Sequence, residues 1–209
     1  IDNDLIGGSM EYQPMDKMSV YTTLIIDEWS PSYTFNKIHK NWFLYQLGIE
    51  LNDLIISNDN LVVEYVWSEL RVYKHRFEIN DYYSYGYPLG FWGGPHSEQF
   101  SILYQSTYKD ITISPGYTFA KRGTIVDSIT EEKYSNDFYY DRYSDGYEKK
   151  DIISLVFSYK FMDNIKLNFG YNHIIWNNPD FKINEIDPID ISSSIIKNDF
   201  FLLLDYRFK

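Results

Sequence analysis

Apolar and polar residues alternate with a period of two along most of this chain, and this feature constrains the fold more than any other. The segment Phe200–Phe208 reads FFLLLDYRF, and the segment Ile165–Tyr171 reads IKLNFGY. Because successive side chains of a β-strand point to opposite sides of a sheet, such segments predict strands with one apolar face. The pattern recurs nine times in the 209 residues, so we expect an all-β, antiparallel fold with about nine strands.

The residue types on the two faces distinguish a membrane barrel from a soluble one. The apolar positions are rich in aromatic residues, since the chain has 21 Tyr and 14 Phe, and the alternate positions hold Gly, Ser, Thr, Asn, Gln and charged residues. A soluble barrel fills its interior with Val, Ile and Leu, whereas a membrane barrel turns an apolar face to lipid around a polar interior. The pattern favours an antiparallel transmembrane β-barrel, with a soluble β-sandwich as the alternative.

The links between the predicted strands alternate between short and long. Short links lie near residues 14–17, 52–60, 109–110 and 162–164, and long links run over about 30–41, 75–97, 121–150 and 177–199. Outer-membrane barrels have short periplasmic turns and long extracellular loops. Four of the tryptophans fall beside the long links, as an interfacial aromatic girdle would: Trp29, Trp42, Trp67 and Trp176.

The odd number of predicted strands bears on whether the barrel is complete. Bacterial single-chain barrels have even strand numbers, and an open sheet edge in lipid leaves backbone groups unpaired. We therefore expect the 209 residues to form one barrel domain that lacks at least one strand at its N-terminal side.

Composition disfavours several other classes of function. The net charge of −11 disfavours nucleic acid as a partner, because phosphate binding needs a basic surface. Cysteine is absent, and the four histidines show neither i, i+4 pairing nor another metal-ligand spacing. No nucleophile, phosphate-loop or dinucleotide motif occurs in the sequence. We therefore expect no enzyme activity, no cofactor and no metal site.

One segment carries a resemblance to a known family. Asp81–Gln99 reads DYYSYGYPLGFWGGPHSEQ and resembles a signature of the Wzi family of capsule-assembly outer-membrane proteins. The strand Leu61–His75 before it and the strand end Leu24–Trp29 are similar to the family as well, although Phe91 and Trp92 depart from its pattern. The resemblance covers about residues 8–120.

The resemblance implies a location and a role. It implies a barrel in the bacterial outer membrane, with about 18 strands, of which this chain would be the C-terminal half. Its extracellular side would bind and anchor capsular or other surface polysaccharide, as a lectin does, without catalysis. Other partners would be outer-membrane lipids, lipopolysaccharide and the barrel-assembly machinery.

Sugar binding requires flat aromatic faces together with polar groups for hydroxyls, and the loop Tyr82–Glu98 offers both. The predicted polysaccharide-binding residues are Tyr82, Tyr83, Tyr85, Trp92, His96 and Glu98. The alternative is that this link folds into the barrel mouth as a structural plug. A second Tyr- and Asp-rich link, Asn136–Glu148, is interpreted as a solvated loop rather than a calcium site, because EF-hand spacing is absent.

A passive channel for small solutes is the alternative function. Charged residues at the inward-facing positions of the predicted strands would either filter such a channel or hold the wall in shape. These residues are Glu11, Asp27, Glu50, Glu64, Lys160, Lys166 and Arg207.

Overall fold

The alternating segments form strands in a computed structural model that describes residues 5–33, 41–73, 83–84, 87–88, 90–124, 141–178 and 194–207. The strands are β1 (Ile6–Met15), β2 (Met18–Glu28), β3 (Trp42–Asn52), β4 (Asp59–Ser68), β5 (Tyr83–Ser84), β6 (Tyr87–Pro88), β7 (Ser97–Tyr108), β8 (Ile111–Gly123), β9 (Tyr147–Met162), β10 (Ile165–Asn177) and β11 (Ser194–Tyr206). A 3-10 turn covers Pro31–Tyr33. Among the described residues, no helix has the length and apolar character needed to cross a membrane.

Nine of the strands form one antiparallel meander. Their order is β1-β2-β3-β4-β7-β8-β9-β10-β11, and β5 and β6 pair separately as a small hairpin. The prediction of an all-β fold with nine antiparallel strands is confirmed. Within the described residues the sheet is open, with β1 and β11 as its two edges.

Short and long links leave opposite ends of the sheet, as predicted. The turn end of the sheet carries the short links, residues 16–17, 53–58, 109–110 and 163–164. The loop end carries the long links, residues 29–41, 69–96, 124–146 and 178–193. In the longest of the short links, the Asp59 carboxylate accepts hydrogen bonds of 2.6–3.0 Å from the backbone N–H groups of residues 54–56.

The strand register places the predicted apolar and polar sets on opposite faces. Phe169 lies directly opposite Phe157 on one side and Leu202 on the other, so these three side chains share the apolar face. On the polar face, the Asn168 amide accepts a 2.7 Å hydrogen bond from Ser158 and donates a 2.9 Å hydrogen bond to Asp205. The predicted division of side chains between two faces is therefore confirmed.

The apolar face carries a continuous belt, which we call the apolar belt, made of every second residue in eight strands. It comprises Met18–Ile26, Phe43–Leu51, Leu61–Trp67, Phe100–Tyr108, Ile111–Phe119, Ile153–Phe161, Ile165–Tyr171 and Phe200–Tyr206. Many of its side chains are exposed, among them Leu47, Phe157 and Leu202. No layer of the described chain covers this face.

The apolar belt crosses the strands at an angle. Thr22, at the middle of the belt on β2, is connected by successive register pairs to Ile196 on β11. The middle of the belt on β11 is Leu203, seven residues closer to the turn end. The belt thus shifts by about one residue per strand. With ~3.3 Å per residue and ~4.8 Å between strands, the strands are inclined to the belt normal by about 35°.

The buried core is small and lies at the loop end of the polar face. It contains Trp42, Leu44, Val66, Val72 and Tyr73, with Leu5, Ile25 and Phe91 packed against it. Val72 and Tyr73 belong to the link between β4 and β7, which therefore folds back over the polar face. This part of the link packs as the plug alternative expects.

The tryptophans lie at the loop end as predicted, but they do not share one face. Trp67 is on the apolar face, directly opposite Tyr45 of β3. Trp42 is buried in the core, and Trp176 donates a hydrogen bond to Glu148 on the polar face. The interpretation as a girdle is wrong for Trp42 and Trp176, because neither lies on the apolar face.

Candidate functional site

The predicted polysaccharide-binding residues are only partly within the described structure. Tyr82 and Tyr85 lie outside the described residues, and Tyr83 is described by its backbone alone, as the first residue of β5. Trp92, His96 and Glu98 are described, and they occupy three different environments at the loop end.

Trp92 lies over the polar face. Its side chain is 50% exposed, and its indole N–H donates a hydrogen bond to the Gln99 side chain of β7. This bond fixes the edge of the indole, and half of the residue's surface remains exposed. An exposed, oriented aromatic ring is the feature that the sequence prediction required.

A narrow cleft opens beside Trp92 because a small residue lies at its base. Ala120 of β8 is in register with Gln99 of β7 on one side and with Lys150 of β9 on the other. Its methyl group leaves a gap between the long side chains that is about the size of one water molecule, and the walls of this gap include Phe91, Trp92, Arg122 and Lys150. We call Trp92, Gln99, Ala120, Lys150 and Trp176 the tryptophan cleft.

Lys150 lies between the two indoles of the tryptophan cleft. Its ammonium group is 3.9 Å from the ring centroid of Trp176 and 6.0 Å from that of Trp92. Both distances permit cation–π attraction. Among the described residues, no carboxylate forms an ion pair with Lys150.

A buried ion pair holds the far wall of the cleft. Arg122 forms an ion pair with Glu148, whose residue surface is 4% exposed. The other carboxylate oxygen of Glu148 accepts a 2.9 Å hydrogen bond from the indole N–H of Trp176. A buried carboxylate needs such partners, and here they fix the Trp176 ring beneath Lys150.

His96 connects the segments around the cleft and is fully buried. Its Nε2 accepts the backbone N–H of Tyr143 at 3.2 Å, so Nδ1 carries the proton and donates to the carbonyl of Thr124 at 2.7 Å. The imidazole also stacks on the Tyr143 ring, with 4.9 Å between centroids. His96 thus fastens residues 141–146 to the ends of β7 and β8.

Glu98 lies at an apolar-face position of β7 and also borders the cleft beside Trp92. It is in register with Trp67 and Lys121, and it accepts a 3.0 Å hydrogen bond from the Tyr65 hydroxyl. The Arg142 guanidinium lies 4.7 Å from the Trp67 ring centroid. This group of ionic and aromatic side chains marks the edge of the apolar belt at the loop end.

Part of the second link, Asn136–Glu148, is also described. Asp141 and Asp145 are exposed, while residues 136–140 lie outside the described range. Burial raises the pKa of Tyr143 to about 12, and the nearby Arg142 opposes this shift. Within the described residues, no group of three His, Cys, Asp or Glu side chains is arranged to hold a metal ion.

The sequence did not predict Gln99, Lys150 or Trp176 as members of the site. Gln99 and Lys150 are brought together by the register of β7, β8 and β9, and Trp176 comes from the next strand. The sequence signal that could have identified them is their place in the alternation, since all three fall at polar-face positions near long links. Together the cleft offers ring stacking, an amide and a cation, which are the groups that bind a sugar.

Comparison with protein-family models finds no match, and no curated protein is significantly similar to the chain. The Wzi resemblance of Asp81–Gln99 therefore stays a prediction.

Proposed function

We propose that the nine strands are part of the wall of an outer-membrane β-barrel that binds surface polysaccharide in the tryptophan cleft. The apolar belt supports the membrane part of the proposal. A nine-stranded sheet with one exposed apolar face and one polar face needs a partner for the apolar face, and lipid is such a partner.

The dimensions of the belt agree with a bilayer. On β9 it runs for eight residue steps, from Ile153 to Phe161. At ~3.3 Å per residue and an inclination of about 35°, this corresponds to a height of about 22 Å. Outer-membrane barrels have an apolar band of about 25 Å and strands tilted by about 35–45°.

The two open edges support closure by further strands. Within the described residues, β1 and β11 each have a sheet neighbour on one side alone, and backbone groups left unpaired on the other side would be costly in hydrocarbon. In a closed barrel they pair. The Wzi resemblance suggests a total of about 18 strands, an even number as in bacterial barrels.

The half-exposed Trp92 above Lys150 and Trp176 carries the functional part of the proposal. In an outer-membrane barrel the long links face the cell exterior, so the tryptophan cleft lies at the extracellular mouth. An indole face packs on the C–H groups of a sugar ring, while Gln99 and Lys150 hold its hydroxyls or charged groups. The role is retention of a glycan, without bond breaking.

Replacement of Trp92 tests this function. In the bacterium that carries the protein, W92A should release about tenfold more surface polysaccharide into the medium, because ~1.4 kcal/mol of lost stacking corresponds to that factor. The matched control is W29A. Trp29 is also at the loop end and is 56% exposed, against 50% for Trp92.

Surface labelling and heat-modifiable gel migration must show that both variants reach the outer membrane. Equal retention in W92A, W29A and the unaltered protein would show that the tryptophan cleft does not bind the polysaccharide. Equal loss in both variants would indicate a general disturbance of the loop end instead.

One observation favours the alternative function, a passive channel. On the polar face, β1–β4 carry Glu11, Asp27, Glu50 and Glu64, whereas Lys160, Lys166 and Arg207 lie at the other side of the sheet. The predicted grouping of these seven residues on one face is confirmed. Acidic and basic arcs around a lumen create a transverse field that selects solutes by charge.

Conductance separates the two functions. Reconstituted in a planar bilayer, a channel passes current continuously, and its ion selectivity shifts towards anions when Glu50 and Glu64 are replaced by Gln. A binding barrel with an occluded mouth gives no steady current.

A further inference from the structure

We propose that the glycan held in the tryptophan cleft is acidic, and that Lys150 binds its carboxylate. This inference rests on the proposed polysaccharide function and names the class of ligand. It starts from the distribution of charge: the net charge is −11, yet basic side chains outnumber acidic ones along one part of the polar face, from the loop end to the turn end.

That place is the polar face of β8–β11, including the residue that follows β11. The basic side chains there are Arg122, Lys150, Lys160, Lys166, Lys197 and Arg207, and the acidic ones are Glu148, Asp199 and Asp205. The polar face of β1–β4 carries carboxylates and, within the described strands, no basic side chain. An anionic ligand is therefore attracted to the β8–β11 side, where the tryptophan cleft lies.

Within the cleft, the two nearest cations differ in their partners. The charge of Arg122 is compensated by Glu148. Lys150 has aromatic rings on two sides and no ion-pair partner among the described residues. A cation held against indoles, away from part of its water, gains from a bound carboxylate.

The geometry also suits a sugar that carries its carboxylate on the ring. Trp92 presents an indole face, and Lys150 lies 6.0 Å from the centroid of that ring. One sugar unit can thus stack on Trp92 while its carboxylate reaches the ammonium group. A neutral sugar makes the stacking contact but adds no carboxylate to Lys150, which has no ion-pair partner among the described residues.

Two oligosaccharides of equal length test the inference: trigalacturonate, which has a carboxylate on each ring, and maltotriose, which has none. Each is titrated into the complete barrel that contains this chain, folded in detergent micelles, with tryptophan fluorescence and calorimetry as readouts. We expect trigalacturonate to bind at least about tenfold more tightly than maltotriose. The difference should shrink as salt is raised, because screening weakens charge pairing.

Lys150→Met removes the charge and retains an apolar stem. It should reduce the affinity for trigalacturonate about tenfold and the affinity for maltotriose much less, because only the acidic sugar loses a charge pair. Lys160→Met is the matched control, because Lys160 lies on the same face of the same strand at the turn end. Its effect on both sugars should be less than twofold.

The outcomes separate this inference from the proposed function. If both sugars bind equally and Lys150→Met changes neither affinity, the acidic class is wrong and polysaccharide binding stands. If neither sugar binds the correctly folded protein, both the acidic class and sugar binding in this cleft are refuted. If Lys160→Met weakens trigalacturonate as much as Lys150→Met does, the charge of the whole face attracts the glycan and Lys150 is not its binding residue.

Discussion

Two adjacent leucines in the last strand provide a direct test of which surface meets lipid. Leu203 and Leu204 of β11 are 52% and 63% exposed, so they differ little in accessibility. Leu204 is in register with Leu167 on the apolar face, whereas Leu203 is in register with Asn168 on the polar face. Replacing each in turn by Arg places the same charge on opposite sides of the sheet.

The structure sets the expected magnitude. On β11 the apolar belt runs from Phe200 to Tyr206, so Leu204 is one residue from its middle. At ~3.3 Å per residue and an inclination of about 35°, it would lie about 3 Å from the bilayer midplane in the proposed barrel. A lipid-facing Arg at this depth costs about 2–4 kcal/mol in a membrane barrel. Leu203→Arg should cost less than about 1 kcal/mol, because its charge remains in a polar environment.

Equilibrium unfolding in guanidinium chloride, with the protein inserted in phosphatidylcholine vesicles, gives the free energy of unfolding of each variant. The slope of the unfolding free energy against denaturant should be the same in both, which shows that the same structure is lost. If both variants lose a similar and small amount of unfolding free energy, the apolar belt does not face lipid. A larger loss for Leu203→Arg than for Leu204→Arg would reverse the assignment of the two faces.

Two further predictions concern packing and pH. A Cβ on Gly48 would overlap the ring of Tyr21, so Gly48→Ala should lower the free energy of unfolding by about 1–3 kcal/mol in a denaturant titration. Gly8→Ala is the control, because a Cβ on Gly8 would meet nothing within 4 Å. This control should change the free energy of unfolding hardly at all. The pKa of Tyr143 is raised to about 12, so the folded protein holds the neutral tyrosine more strongly than the unfolded chain does. The contribution of Tyr143 to the free energy of unfolding is therefore complete below pH ~10, the ordinary tyrosine pKa, and is lost as the pH rises towards 12. Protease cleavage within residues 141–146 should therefore increase between pH ~10 and pH ~12. Tyr143→Phe should abolish this increase. An equal rise of cleavage in Tyr143→Phe would show that another group titrates.

The strands could be predicted from the sequence because a single local signal determined them. In β10, Leu167, Phe169 and Tyr171 alternate with polar residues, and a two-residue turn precedes the strand. Such alternation fixes both the strand and the face of each side chain, since the period is two. For the same reason the placement of short and long links agreed with the structure, as link length depends only on where strands begin and end.

The candidate site could be predicted only in part, because it depends on contacts between distant segments. Trp92 was found from its own chemistry, as an aromatic residue in a long link. Lys150 and Trp176 were missed, since a lysine and a tryptophan become neighbours only once β9 and β10 are aligned. His96 and Glu98 have residue types suited to binding, yet one is buried beneath Tyr143 and the other is on the apolar face.

The consecutive residues Lys149 and Lys150 show why the strand register determines which side chains form the candidate site. Lys149 is directed to the apolar face, where it pairs with Asp151 at 2.9 Å at the edge of the apolar belt. Lys150 is directed to the polar face and into the tryptophan cleft. A slip of one residue between β8 and β9 would exchange the two faces of β9. The Arg122–Glu148 ion pair joins these strands in register, so the contact that orients Trp176 also keeps Lys150 in the cleft.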